Sequence, residues 1–276
     1  MNGPARANRP RRGIPLRTIV PNAVTALALC SGLFGIRFGI GGEWDKAVAA
    51  VVIAAILDGL DGRIARLLNG QSRFGAELDS LSDVTAFGVA PAIILYLWVL
   101  EPLGELGSDL ERWNRYGWLF LLAYAVCAAL RLARFNANID SVDQPHKSAG
   151  FLTGVPAPAG AGLVLLPVYL WSWTGEPTFR EAWLAAPWAA LVGFLMISNL
   201  ATFSWGSLRL RSHVRLGALV VIALVFAALI SAPFPTLSVA AMLYAVMIPL
   251  SIASYAKVKR QRVAEPVRPE PLSPKA

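Results

Sequence analysis

Eight apolar stretches, each long enough or nearly long enough to cross a bilayer, recur along the 276-residue chain. They lie near residues 21–40, 44–68, 76–100, 115–135, 154–173, 183–205, 216–232 and 236–255. A hydrocarbon core of roughly 30 Å asks for about 20 apolar residues per helix, and these runs meet or approach that length. The seventh is the shortest and reads as a hairpin partner of the eighth across Ala232-Pro233-Phe234-Pro235. The chain is 56% apolar and only 15% charged, with a mean hydropathy of +0.55, more apolar surface than a soluble domain can hide. The expected fold is all-α: a polytopic helical bundle of about eight transmembrane helices.

The net charge of +8 alone would suit a nucleic-acid partner, but its placement does not. Twenty of the 25 lysines and arginines fall on one side of the bundle. They lie in the N-terminal tail (Arg6, Arg9, Arg11, Arg12, Arg17), the second connection (Arg63, Arg66, Arg73), the fourth (Arg131, Arg134, Lys147), the sixth (Arg209, Arg211, Arg215) and the C-terminal tail. The opposite loops carry Glu43, Asp45, Glu101, Glu105, Asp109, Glu111, Glu176 and Glu181. The positive-inside rule then puts both termini in the cytoplasm, with no nucleic-acid partner expected. Residues 1–14 read as a disordered basic cytoplasmic tail without a signal peptide's apolar stretch or cleavage site, and 15–256 as the membrane domain. Residues 257–276 read as a disordered tail, basic and then proline-rich. Trp98, Trp113, Trp118, Trp171, Trp173, Trp183 and Trp188 fall near the outer ends, as an aromatic belt would. Cys30 and Cys127 stand alone in apolar runs and read as buried free thiols.

Four aspartates break this apolar pattern. Asp58 and Asp61 are three residues apart, and Asp79 and Asp83 four apart, so on helices each pair shares a face. The second span enters the cytoplasmic side and the third leaves it, so the pairs can meet across an antiparallel hairpin. Intramembrane carboxylates are costly and mark function. Converging, they would repel unless cations neutralised them, and an oxygen-only donor set favours Mg²⁺ or Mn²⁺ over zinc. Gly59, Gly62 and Gly75 make sense where a ligand approaches the backbone, and Arg66 can offer phosphate a planar fork. The plainer reading is a polar turn in which acids and arginines pair; it suits Arg63 and Arg73 but not two acid pairs with three glycines.

The pattern D-G-x-x-A-R-x8-G-x3-D-x3-D, with a further Asp three residues before it, occurs here as Asp58, Asp61-Gly62, Ala65-Arg66, Gly75, Asp79 and Asp83. It resembles the signature of the CDP-alcohol phosphatidyltransferases. The resemblance implies a six-helix family core, here with two added helices, and a homodimer. It implies that Asp58, Asp61, Asp79 and Asp83 hold Mg²⁺ or Mn²⁺, two ions in all. Asp83 would be the catalytic base that deprotonates the acceptor alcohol. Asn22, Thr25, Gly59, Gly62, Arg66, Ser72 and Gly75 would contact the CDP-lipid, with Pro21-Asn22 on the cytidine side. CMP would leave as an alcohol attacks the lipid-side phosphorus, at the cytoplasmic face of the cell's inner membrane.

Leu130-Arg131-Leu132-Ala133-Arg134-Phe135-Asn136, the segment 151–158 with its Gly154-Val155-Pro156-Ala157-Pro158, and the segment 74–91 resemble the phosphatidylserine synthase branch of that family. This implies CDP-diacylglycerol and L-serine as substrates. Arg131 and Arg134 would bind the serine carboxylate, and Asn136 or Glu77 the ammonium; the same arginines also suit ordinary cytoplasmic anchors. His146, Lys147 and Arg209, Arg211 and Arg215 suit anionic lipid or simply a solvated face. Pro156, Pro158, Gly160 and Gly162 suit a close helix-packing face. Glycerol 3-phosphate or inositol phosphate remain open as acceptors. Choline would need an aromatic cage that the sequence does not display. A divalent-cation transporter would scatter its acids near the midplane on broken helices, whereas these sit in one hairpin.

Overall fold

The computed structural model describes residues 16–100, 108–137, 151–203 and 215–264. Helix α1 (Leu16–Ile40) lies along α2 (Trp44–Leu67), strapped by Ser31 Oγ, which donates to the Ala50 carbonyl at 2.9 Å. A continuous α3 spans Arg73–Leu100, and α4 (Ser108–Ala137) returns beside it. Then come α5 (Ala157–Val164), α6 (Leu166–Thr174), a 3₁₀ turn (Pro177–Arg180), α7 (Ala182–Ile197), α8 (Arg215–Ser231) and α9 (Pro233–Ala264). Strands β1 (Phe151–Thr153) and β2 (Ala201–Phe203) pair antiparallel, Leu152 opposite Thr202.

Prolines decide where the helices change register. Pro91 has no N–H to give the Phe87 carbonyl four residues back, and α3 is π-helical over Val84–Val89. The fully buried Tyr124 of α4 takes that carbonyl instead, its hydroxyl donating at 2.6 Å. Pro21 likewise frees the Arg17 carbonyl of α1. The turn after α2 packs so tightly there that a β-carbon on Gly70 would fall 1.9 Å from that oxygen. Pro167 sits in the first turn of α6 and splits the fifth apolar stretch at Leu165. Pro233 opens α9 one residue after α8 ends, forming the hairpin expected of the last two stretches.

Four described helices are long and apolar enough to cross a membrane: Leu16–Ile40, Arg73–Leu100, Tyr116–Ala137 and Pro233–Tyr255. The other expected spans are helical but fall short for separate reasons. α2 carries Asp45, Lys46, Asp58, Asp61, Arg63 and Arg66. The fifth is split, and α7 and α8 have 16 and 17 residues. The sixth stretch ends at Ile197 and not near 205, because Ser198 is extended and the chain enters β2. The described residues are otherwise helical, as an all-α bundle requires, and this three-residue ladder is a short exception. α9 runs to Ala264, past the boundary expected at 256; its basic segment has no proline before Pro266.

Two details differ from the sequence expectation. Cys30 is exposed on α1 and Cys127 half-buried; both are free. Trp98 is 0% exposed, not a belt residue: it meets Trp171 edge-on at 5.7 Å, with the Arg180 guanidinium over both rings. Trp118, Trp173 and Trp183 are exposed, as a belt requires, and Trp188 is half-buried, its indole donating to the Leu163 carbonyl. The Trp113 side chain lies outside the described residues, as do His146, Lys147, Arg209, Arg211 and the two tails at 1–14 and 265–276. The outward surfaces of α1, α8 and α9 are apolar, with Leu27, Phe34, Val221, Phe226 and Leu243 exposed, which suits lipid.

Candidate metal and phosphate site

The aspartates of α2 and α3 come together as helical spacing requires. Carboxylate oxygens of Asp58, Asp61 and Asp79 all lie within 4.8 Å of one another. Asp61 is 4% exposed, and Asp58 and Asp79 are half-buried. Asp83 stands one turn further along α3, beside Asp58 and outside that set of three. One of its oxygens, Oδ1, is buried without a hydrogen-bond partner among the described residues.

Helix α1 supplies the support. Thr25 Oγ1 is 2.6 Å from Asp61 Oδ2 and 3.1 Å from the Pro21 carbonyl. An ionised carboxylate only accepts, so the single hydroxyl proton of Thr25 goes to Asp61, at a length typical of charge-assisted bonds. Thr25 therefore holds a carboxylate in place, a use that its position in the sequence does not announce. Ser82 of α3 donates to the Thr25 carbonyl at 3.3 Å, which ties the same turn of α1 to the second acid pair.

Three of the residues expected to meet a CDP-lipid, Asn22, Ser72 and Gly75, gather at the start of α3. Ser72, extended, caps α3 by accepting the Gly75 N–H at 3.0 Å; its own O–H remains able to donate. Asn22 presses against the same turn. A β-carbon on Gly75 would lie 2.7 Å from Asn22 Oδ1 and 3.1 Å from Ser72 Oγ, so any larger residue there pushes the Asn22 side chain aside. Gly59 has open space where a β-carbon would be, and Arg66 folds back toward Gly62.

No arginine forms an ion pair with these acids among the described residues. Among the described residues the only ion pair is Lys46 with Glu43, at the far end of α2. A polar turn held together by acid–arginine pairs is therefore not what the chain builds. The residues fit a divalent cation on their donor chemistry: three converging carboxylates, all oxygen donors, with no cationic side chain paired to them.

The three residues assigned to the acceptor separate in the structure. Arg131 lies within electrostatic reach of Asp83, with its Nε buried and unpartnered among the described residues. Arg134 turns away: its guanidinium donates to the Ile197 carbonyl at 3.1 Å and to Asn199 Oδ1 at 2.7 Å, closing the end of α7. Asn136 is exposed and donates to Ser80 Oγ at 2.8 Å, and Glu77 is exposed.

Comparison with known sequences agrees with this geometry. The CDP-alcohol phosphatidyltransferase family matches residues 18–197, which contain every acid described above, and a second family description, CDP-alcohol phosphatidyltransferase 2, matches 213–249. The chain is 38% identical to a CDP-diacylglycerol–serine O-phosphatidyltransferase of Mycobacterium tuberculosis, over 89% of this chain and 82% of that protein. Proteins of the same name from Helicobacter pylori (37%, covering 66% of this chain and 70% of theirs) and Methanocaldococcus jannaschii (33%, 66% and 72%) are also similar. The chain belongs to the CDP-alcohol phosphatidyltransferase family. It is a membrane transferase of phospholipid synthesis.

Proposed function

We propose that this protein transfers the phosphatidyl group of CDP-diacylglycerol to the hydroxyl of L-serine, releasing CMP and forming phosphatidylserine. The observation that carries the reading is the three-carboxylate cluster with Asp83 one turn beyond it, facing Arg131. Serine as acceptor is supported by the relatives named above, each bearing a serine transferase name.

Asp83 takes the proton of the serine hydroxyl as its oxygen forms a bond to the lipid-side phosphorus. The bond from that same phosphorus to the bridging phosphoanhydride oxygen breaks, and the oxygen leaves with CMP, taking the electron pair. Asp58, Asp61 and Asp79 would hold Mg²⁺ or Mn²⁺, with Asp83 next to a second ion. Bound there, the ion supplies electrostatic stabilisation of charge developing on the phosphates. Asn22, Ser72, Gly75 and the open backbone at Gly59 receive the CDP moiety, and Arg66 offers its fork to the diphosphate. Thr25 acts through Asp61, and Arg134 and Asn136 act as fasteners of the cytoplasmic end of α4.

The loop charges support eight membrane crossings with both termini in the cytoplasm of a cell whose inner membrane holds the chain. The acids would then open to the cytoplasmic headgroup layer, where acyl tails remain in lipid. A homodimer belongs to the same reading.

The decisive experiment is CMP release by purified protein with CDP-diacylglycerol and Mg²⁺ or Mn²⁺, comparing L-serine, glycerol 3-phosphate, inositol phosphate and choline. Metal-dependent release with serine alone is expected. Release with another alcohol only would keep the chemistry and replace the acceptor, and no release with any alcohol would favour a cation transporter.

Gly75→Ala tests the nucleotide edge separately. The added methyl must displace Asn22, so the KM for CDP-diacylglycerol should rise about tenfold, the worth of one good hydrogen bond to a charged group, with the serine KM unchanged. An unchanged lipid KM would remove Asn22 from the site.

A further inference from the structure

Three polar atoms linked through Arg131 are buried without a hydrogen-bond partner among the described residues: Asp83 Oδ1, Arg131 Nε and the Tyr244 hydroxyl. They come from α3, α4 and α9, and Arg131 lies within electrostatic reach of both other groups. Buried polar atoms are rarely left unpaired, and three such atoms grouped around one arginine call for a polar ligand. The other unpartnered side-chain atoms, on Trp98, Ser172, Ser238 and Ser251, have no such link to Arg131 or Asp83.

The three atoms describe what would fill the space. The Arg131 N–H donates, the tyrosine hydroxyl donates or accepts, and the carboxylate oxygen accepts. A matching ligand presents an anionic acceptor to Arg131 and Tyr244, and a donor to Asp83 from the same small molecule. An amino acid with its carboxylate on one carbon and its hydroxyl on the next has that arrangement.

We propose that Tyr244 is a specificity-determining residue of the acceptor pocket, its hydroxyl donating to the serine carboxylate held by Arg131 while the serine hydroxyl faces Asp83. This rests on the serine-transfer reading above. The placement of Tyr244 is structurally secured. α9 packs against β2 and α6, and the end of α4 is fastened through Arg134 to Ile197 and Asn199, just ahead of β2. The two helices are thus referenced to one anchor. Tyr244 also falls within the second matched family segment, 213–249. The terminal hairpin then completes the site rather than merely enlarging the bundle.

The test compares the full-length protein with Tyr244→Phe, using L-serine and L-serine methyl ester, which lacks the carboxylate charge. Losing one hydrogen bond to a charged group should raise the serine KM about tenfold, with the KM for CDP-diacylglycerol unchanged. With the methyl ester, variant and wild type should converge, because the hydroxyl and the carboxylate report one shared interaction. An unchanged serine KM in the variant overturns the proposal. So does an equal penalty on serine and its ester, which signals a structural effect. A wild-type protein inert with serine overturns the functional reading itself, a result distinguishable from either.

Discussion

Asp83→Asn should lower CMP release by at least about a hundredfold, the low end of what a positioned general base contributes. The substitution keeps the shape of the side chain and removes its ability to take a proton. It leaves Asp58, Asp61 and Asp79 intact, the set whose oxygens lie within 4.8 Å. Binding of CDP-diacylglycerol, read by titration in the presence of Mg²⁺, should therefore persist while turnover is lost. Asp83 Oδ1 is buried and free to accept, the state expected of an oxygen awaiting a substrate hydroxyl. Full activity in this variant would remove Asp83 from the base role.

Asp61→Asn should fail differently. The amide oxygen of the replacement side chain can still accept from Thr25, so the 2.6 Å contact survives in kind while a negative charge is lost from the buried centre of the cluster. The metal concentration for half-maximal CMP release should rise by more than the roughly 10-fold that even an outer-shell partner typically contributes. Turnover at saturating metal should stay below that of the wild type. Wild-type turnover restored by high Mg²⁺ would contradict an essential ligand, and an unchanged metal requirement would place the ion elsewhere.

The acid cluster was legible in the sequence because one helical period separates the members of each pair and a hairpin brings the pairs together. Its support was not. Thr25 is 36 residues from Asp61, and nothing local marks a threonine in an apolar helix as the partner of a distant carboxylate. Arg131 and Arg134 look alike as cytoplasmic anchors three residues apart. What separates them is the end of α7, 63 residues on, whose last carbonyl captures Arg134 and leaves Arg131 to face Asp83. Hydropathy alone misplaces the same end: apolar residues resume at Leu200, Ala201 and Phe203, but the backbone has already turned extended at Ser198. A place near a helix end suits Trp98 to an aromatic belt, whereas Arg180 folding over its ring belongs to tertiary structure. Counting apolar residues also could not register that α2 spends its polarity on the site, which is why that helix is long enough to span yet too charged to pass as an ordinary span.

The bond from Tyr124 to the carbonyl that Pro91 leaves free has a mechanical consequence. Tyr124 and Arg131 are seven residues apart on one face of α4, and Phe87 and Asp83 four apart on α3, so the two helices meet at two rungs. Sliding one helix past the other by a single residue would strand the tyrosine hydroxyl and the carbonyl together, deep in an apolar layer. The spacing between Asp83 and Arg131 is thus written by the protein into its own frame. Acyl chains pressing on the outer faces can vary in length without resetting that spacing.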